Sequence, residues 1–236
     1  MEQLLSLRSL FAVLAAAAAA ASLSGCMEFL ETSATQDPPG AGAAAVAPDA
    51  PDPDVPRPPA APLVINEVDY DQKGADDAEF MEIVNPNPSA VDLADYRIEL
   101  INGSNGRRYG SYAPTGRLDA GAYLVIGDQA VIDAAAVGTV TLPLKSGGLQ
   151  NGPDAVRIVE AATGRVLDGV HYRDAVPGFG EGAPAPRDDT SSPTSIGRCP
   201  DGFDSDDNGA DFGTMTPSPG AANACAGLIS GEPVSG

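Results

Sequence analysis

The stretch SIGRCPDGFDSDDNGADFGTMTPSPGAAN, residues 195–223, carries four signals in close order: Cys199, the acidic hexad DSDDNG (Asp204–Gly209), the apolar anchor Phe212 and the turn Pro217–Gly220. Proline and glycine forbid a long helix here, because one removes a backbone donor and the other carries a high entropic cost. The stretch reads as the loop and final strand that shut a β-sandwich. Outward from it, the preceding chain shows the pattern such a closure needs.

Val166–Tyr172 and Ala155–Glu160 form a hairpin pattern joined through Ala161–Arg165, where Gly164 is free to take a positive φ. Further back lie short runs at Val140–Leu142, Ala122–Ile126 and Arg107–Tyr112. Tyr96, Ile98 and Leu100 alternate with Arg97, Glu99 and Ile101, a period of two, ahead of the turn signals Asn102-Gly103 and Asn105-Gly106. Glu79–Asn85 is a strand stopped by Pro86, and Leu63–Val68 is a β-branched run that opens the domain. Only Asp128–Val137 has helical content, with Asp128 placed as an N-cap. Seven or eight short strands with turn signals at roughly ten-residue spacing predict an all-β, antiparallel sandwich. About 160 residues is enough chain for a real core.

Composition bounds the function. The 236 residues carry a formal charge of -20, with 27 glycines, 22 prolines and no tryptophan. A phosphate backbone repels so acidic a chain, which disfavours nucleic acid unless Arg107, Arg108 and Arg117 gather into a local patch. The same charge attracts cations.

The N-terminus reads as an address. Leu10–Ser22 (LFAVLAAAAAAAS) has the length of a signal-peptide apolar region and is too short to span a bilayer comfortably. It leads into Leu23-Ser24-Gly25-Cys26, which resembles the bacterial lipobox, cut before a lipid-modified cysteine. The n-region departs from the usual pattern in holding only Arg8 and in carrying Glu2. The resemblance implies a signal peptide over residues 1–25 and membrane attachment through lipid on Cys26. It places the protein in the bacterial cell envelope, at the outer membrane or cell surface. Residues 26–62 are rich in Pro, Ala and Asp and cannot bury a core. At about 3.1 Å per residue in the polyproline II form they reach on the order of 100 Å. With Cys26 set aside, Cys199 and Cys225 remain as a pair, which in an exported protein suggests one disulfide; two free thiols are the alternative. The domain is expected over residues 63–225, followed by a structureless tail, 226–236.

Several of these residues together resemble a bacterial lamin tail domain. They are Val64-Ile65-Asn66-Glu67-Val68, Glu79-Phe80-Met81-Glu82-Ile83 with Asn85-Pro86, and Val91-Asp92-Leu93 with Tyr96-Arg97-Ile98. Leu118–Gly121 leading into Tyr123–Ile126 continues the match, and Ser195–Arg198, Asp211-Phe212 and Pro217–Gly220 close it. Ser218 stands where threonine is expected, and the cysteine pair is not general to that family. The resemblance implies an immunoglobulin-like sandwich and supplies no reaction.

Residues suited to catalysis are sparse. The one histidine, His171, reads as a surface or edge residue, and no Gly-x-Ser-x-Gly elbow accompanies it. Glu67 and Glu82 are the strand carboxylates that a hydrolase reading would need. The more specific signal is the hexad: Asp204, Asp206 and Asn208 alternate ahead of Gly209, as in a calcium loop, with Asp211 near enough to add a ligand. Against it, Met215 stands where an EF-hand has its bidentate glutamate, and the other reading is a solvated turn whose aspartates cap local amides. Arg198 is placed to partner one of these carboxylates instead. The sequence therefore predicts a non-enzymatic, lipid-anchored binding or structural module for a protein or envelope polymer. Calcium is its one candidate cofactor. An exported hydrolase and a weak nucleic-acid binder are the alternatives.

Overall fold

A computed structural model describes residues 60–145, 147–188 and 193–225, all in the second of the chain's two units. The expected signal peptide, Cys26, most of the expected tether and the segment 226–236 lie outside the described residues. Among the described residues twelve strands are formed: β1 (Val64–Asp69), β2 (Phe80–Val84), β3 (Val91–Asp92), β4 (Tyr96–Asn102), β5 (Arg107–Tyr112), β6 (Arg117–Leu118), β7 (Tyr123–Gly127), β8 (Val140–Pro143), β9 (Asp154–Glu160), β10 (Val166–Tyr172), β11 (Ser195–Arg198) and β12 (Phe212–Met215). Among the described residues, two short α-helices, α1 (Gln129–Ala134) and α2 (Asn208–Asp211), and a 3-10 turn at Leu93–Asp95 interrupt them.

A six-stranded sheet, β12-β11-β1-β2-β7-β8, faces a four-stranded sheet, β10-β9-β4-β5, with β3 and β6 as a separate ribbon. Alternation explains the packing. Ile98 and Leu100 of β4, Val156 and Ile158 of β9, and Val170 and Tyr172 of β10 point inward. They meet Ile65, Val68, Met81, Ile83, Leu124, Ile126 and Ile196 from the larger sheet in one apolar core. Burying an aliphatic side chain of this size is worth roughly 1.5–3 kcal/mol. In β1 the inward residues are three apart, which strict alternation forbids. A bulge at Asn66, where the register shifts between Ile65 and Glu67, restores the phase.

The sandwich is not wholly antiparallel: β8 runs parallel to β7. The chain leaves β7, passes through α1 and returns along the same direction, and a parallel return needs a crossover of about a dozen residues. Helix α1 is shorter than the predicted span. Asp128 does occupy its N-cap position, but its carboxylate makes no cap bond and accepts instead from the Glu79 amide. The hairpin at Ala161–Arg165 forms as expected, with Gly164 at φ +75° and its amide bonded to the Glu160 carbonyl.

β1 and β2 are buried along their whole length, on both faces. One end of the outer face of the large sheet is covered by α1, through Phe80, Val125 and Val131. The other end is covered by the closing stretch 199–223, where Gly202 lies against Val84. Cys199 and Cys225 are disulfide-bonded across 26 positions, with Cα atoms 5.5 Å apart. Closing a loop of this length removes about 3–4 kcal/mol of unfolded-state freedom in the chain-entropy model. Reduction, or the Cys199→Ser/Cys225→Ser double variant, is therefore expected to lower the denaturant midpoint and, by releasing the unfolded chain, to steepen the slope. Equal midpoints for the oxidised and reduced protein would rule the bridge out as a stabiliser.

Candidate functional site

The closing stretch is built around Arg198, which ends β11 and is wholly buried. Its Nε donates to the Ile65 carbonyl at 2.8 Å. Nη1 donates to Asp211 at 2.7 Å, to Asp204 at 3.1 Å and to the Phe203 carbonyl at 3.1 Å. Nη2 donates to Asp168 of β10 at 3.0 Å, and Glu181 lies 3.9 Å away. The guanidinium also stacks on the Phe212 ring, 4.7 Å from its centre. A planar five-donor fork suits this many-sided contact, which an ammonium could not make.

Asp168, Glu181 and Asp204 offer carboxylate oxygens within 4.8 Å of one another, a group that can hold a divalent cation such as calcium. Burial pushes Asp168 up to about 6, with Arg198 pulling against it. Burial, reinforced by Asp168 and Asp204, pushes Glu181 up to about 8. Arg198 supplies positive charge at the same place, so an added cation would compete with a guanidinium already hydrogen-bonded there.

The sequence-predicted calcium ligands are thus distributed among separate tasks. Asp204 joins the cluster above, and Asp211 accepts from Arg198 and from the Ser205 amide and hydroxyl. Asp206 sits at φ +59° on the exposed side of the loop, its amide donating to Asp204. Asn208 is buried and points the other way: its Oδ1 accepts from the His171 and Glu181 amides, and its Nδ2 donates to the Gly169 carbonyl. Asp207, not singled out from sequence, caps α2 through the Gly209 amide and also holds the Ala183 amide. Asp204, Asp206 and Asp211 do not form a metal-spaced group, and Asp168 and Glu181 were not legible as members of one. The alternating D-x-D-x-N pattern here fixes a turn and pins the segment around residue 181.

The two strand carboxylates are used structurally as well. Glu67 and Glu82 are directly paired across β1 and β2 and are completely buried beneath the Pro217–Gly220 turn. Glu67 accepts from the Ser195 hydroxyl and from the Ser218 amide and hydroxyl. Glu82 accepts from Asn66 at 2.9 Å and from the Gly220 amide at 2.6 Å. Asp201 completes the clasp, accepting from Asn66, the Asn223 amide and the Tyr123 hydroxyl. His171, read from sequence as a surface or edge residue, does lie on the edge strand β10 but is buried there; its Nδ1 accepts from the Val176 amide and its ring lies under Gly180. Glu67 and Glu82 share one clasp covered by their own chain, and His171 has other partners, on the Val176 and Gly180 side.

The arginines expected to gather do so in a different set. Arg97, Arg108 and Arg157 surround Glu99, whose oxygens they share at 2.9, 2.5 and 2.8 Å, whereas Arg117 pairs with Asp119. Burial alone would raise the Glu99 carboxyl, but the three guanidiniums outweigh it and hold the group down at about 2.

With this frame in view, the family model for the Lamin Tail Domain matches residues 56–174. The chain belongs to the lamin tail domain family. The match takes in β1 to β10 and stops short of the closing stretch, so β11, α2 and β12 extend the lamin tail domain sheet beyond the matched residues. Comparison with curated proteins finds no match. The lamin tail domain is a binding or structural domain, and within it Glu67 and Glu82 are covered by their own chain. Among the described residues, no helix is long and apolar enough to cross a membrane.

Proposed function

We propose that this protein is a lipid-anchored component of a bacterial cell envelope that presents its lamin tail domain, at the end of a proline-rich tether, to a protein or polymer of the envelope. The observation that carries the reading is the run Leu10–Ser22 entering Leu23-Ser24-Gly25-Cys26, directly ahead of a segment of low hydrophobicity and high proline content. The net charge of -20 favours such a partner over nucleic acid, whose phosphates it repels.

The last residues of the tether support a mechanical role. The Ala60 amide donates to Glu160, the Tyr96 hydroxyl donates to the Ala61 carbonyl, and Asn87 Nδ2 donates to the Pro62 carbonyl, each at 2.7 Å. Load on a tether fixed in this way passes into β4 and β9, which lie side by side in the four-stranded sheet. The test is metabolic labelling of cells with an alkyne fatty acid, followed by membrane fractionation. Wild-type protein is expected to carry label and to sediment with membranes, and Cys26→Ser to lose both. Retention of label and sedimentation by Cys26→Ser would overturn the anchor.

A further inference from the structure

The outer face of the four-stranded sheet is finished differently at its two ends. Across β4 and β9 the register pairs Ile101 with Ala155, Glu99 with Arg157 and Arg97 with Val159. At the Ile101 end the face is covered, where Val176 packs on Ile101 and Ala155 with Phe179 beside it. From Glu99 onward arginine takes over: Arg97, Arg108 and Arg157 lie there 31, 51 and 25 % exposed, open to a ligand. This end is also where the chain enters the domain. The Ala60 amide bonds to Glu160, next to Val159, and the hydroxyl of Tyr96, next to Arg97, bonds to the Ala61 carbonyl.

Glu99 gathers the three arginines without balancing them. Its Oε1 accepts from Arg97 Nε and Arg108 Nη1, and its Oε2 from Arg157 Nε and Nη2. One carboxylate against three guanidiniums leaves a local charge of about +2, in a chain whose total is -20. Both Nη groups of Arg97 and the Nη1 of Arg157 have no protein partner among the described residues. Arg157 is held further by the Phe179 ring, 5.2 Å from its centre. By contrast, Arg165 and Arg173 each meet a single carboxylate, Glu160 and Asp71. Guanidiniums fixed in this way present ready forks for further carboxylates, because their side chains are already ordered.

We propose that this arginine face is the docking surface for the chain's own segment 48–54, PDAPDPD, whose Asp49, Asp52 and Asp54 supply the balancing negative charge. At about 3.1 Å per residue, the stretches from Ala60 back to Asp54 and to Asp49 reach roughly 19 and 34 Å. The step from Glu160 to Arg157 along β9 is only about 10 Å. A free acidic polymer would have to approach a chain that repels it. A segment already joined at Ala60 is instead held at an effective concentration in the millimolar range. Exposed ion pairs are weak one by one, so docking depends on several carboxylates acting together. With 48–54 docked, the free part of the tether shortens to roughly 70 Å. The inference rests on the reading of residues 26–62 as a tether, and not on lipid at Cys26.

The test uses the full chain carrying Cys26→Ser, so that neither lipid nor a second free thiol is present, with a nitroxide attached at Ala45→Cys, just ahead of Asp49. Docking is expected to broaden the guanidinium resonances of Arg97, Arg108 and Arg157 beyond detection. Those of Arg173, paired with Asp71 beyond the far end of β10 and similarly exposed, should stay sharp. Salt at 1 M, where the screening length falls to about 3 Å, should restore all three signals. Asp49→Asn/Asp52→Asn/Asp54→Asn, which leaves the domain untouched, should restore them as well. No broadening, equal broadening at Arg173, or broadening that survives the triple variant would overturn the docking. Broadening that grows with protein concentration would place a second copy's segment on the face and overturn the assignment to the chain's own. Because Cys26 is already replaced, failure of the lipid anchor leaves each of these readouts as it stands.

Discussion

Arg198→Leu is expected to be the most destabilising single substitution in the domain, lowering stability by about 3–5 kcal/mol. In a protein of this size that corresponds to a fall in melting temperature of roughly 10 °C. The guanidinium is wholly buried and answers Asp168, Asp211 and Asp204 together with two backbone carbonyls. Leucine fills much of the volume but leaves Asp168 and Asp211, both almost fully buried, without their counter-charge. It also frees β11 from β10, since the pair Arg198–Asp168 links the closing stretch to the smaller sheet. Lysine at this position should recover only a part, because a single ammonium cannot reach Ile65, Asp168 and Asp211 at once. Combining Arg198→Leu with Asp168→Asn and Asp211→Asn should restore stability relative to Arg198→Leu alone, a coupling that a double-mutant cycle reads directly. A melting temperature within a degree or two of wild type for Arg198→Leu would mean that the closing stretch is held by the disulfide and the Glu67–Glu82 clasp instead.

The second large effect is on pH dependence, and its direction is unusual for so acidic a protein. Burial raises Glu67 to about 7, opposed by bonds from Ser195 and Ser218. Burial also raises Glu82 to about 8, opposed by Asn66 and Gly220 and reinforced by Glu67 and Asp201. In the unfolded chain both titrate near 4.5, so between that pH and 7 to 8 the folded state holds more protons than the unfolded one. Stability therefore falls as pH rises through this window. For Glu67 alone the difference is on the order of 3 kcal/mol. Asp188, pushed to about 9 by burial and by Asp69, acts in the same direction. Glu99, held at about 2, acts oppositely, but its contribution is lost only below pH 4.5. Melting in chelator-containing buffer is expected to occur at higher temperature at pH 5 than at pH 8.5, and Glu67→Gln with Glu82→Gln should reduce that slope while leaving the part carried by Asp188, Glu79 and Glu181, which are raised in the same direction. A melting temperature that is level or rises toward pH 8.5 would show that these glutamates stay ionised in the fold. The clasp over Ser218 and Gly220 would then be held by charge.

The strands were legible because their signals are local. Period-two alternation marked β4, a β-branched run marked β1, and Asn-Gly and Gly164 marked the turns on which β4–β5 and β9–β10 fold back. The ribbon β3–β6 was not, since two residues give no period to read. The parallel edge β8 was also hidden, because direction is set by where α1 returns the chain and not by the composition of the strand.

For the functional residues the division is sharper. Sequence alone determined the sandwich class and the cysteine pair, each written in neighbouring residues or in simple arithmetic. It also marked Arg198 as a rival to calcium for the hexad. Only the tertiary structure decided which side of that rivalry each aspartate takes. Asp168 reaches Arg198 from 30 positions away, Glu67 meets Ser218 across 151, and Glu79 finds Leu149 across 70. The physical reason is that a carboxylate acquires its role from whatever surrounds it once buried. Desolvation, a guanidinium or a backbone amide comes from the other elements of the fold, and the same aspartate or glutamate is cap, clasp or counter-ion according to which of them arrives.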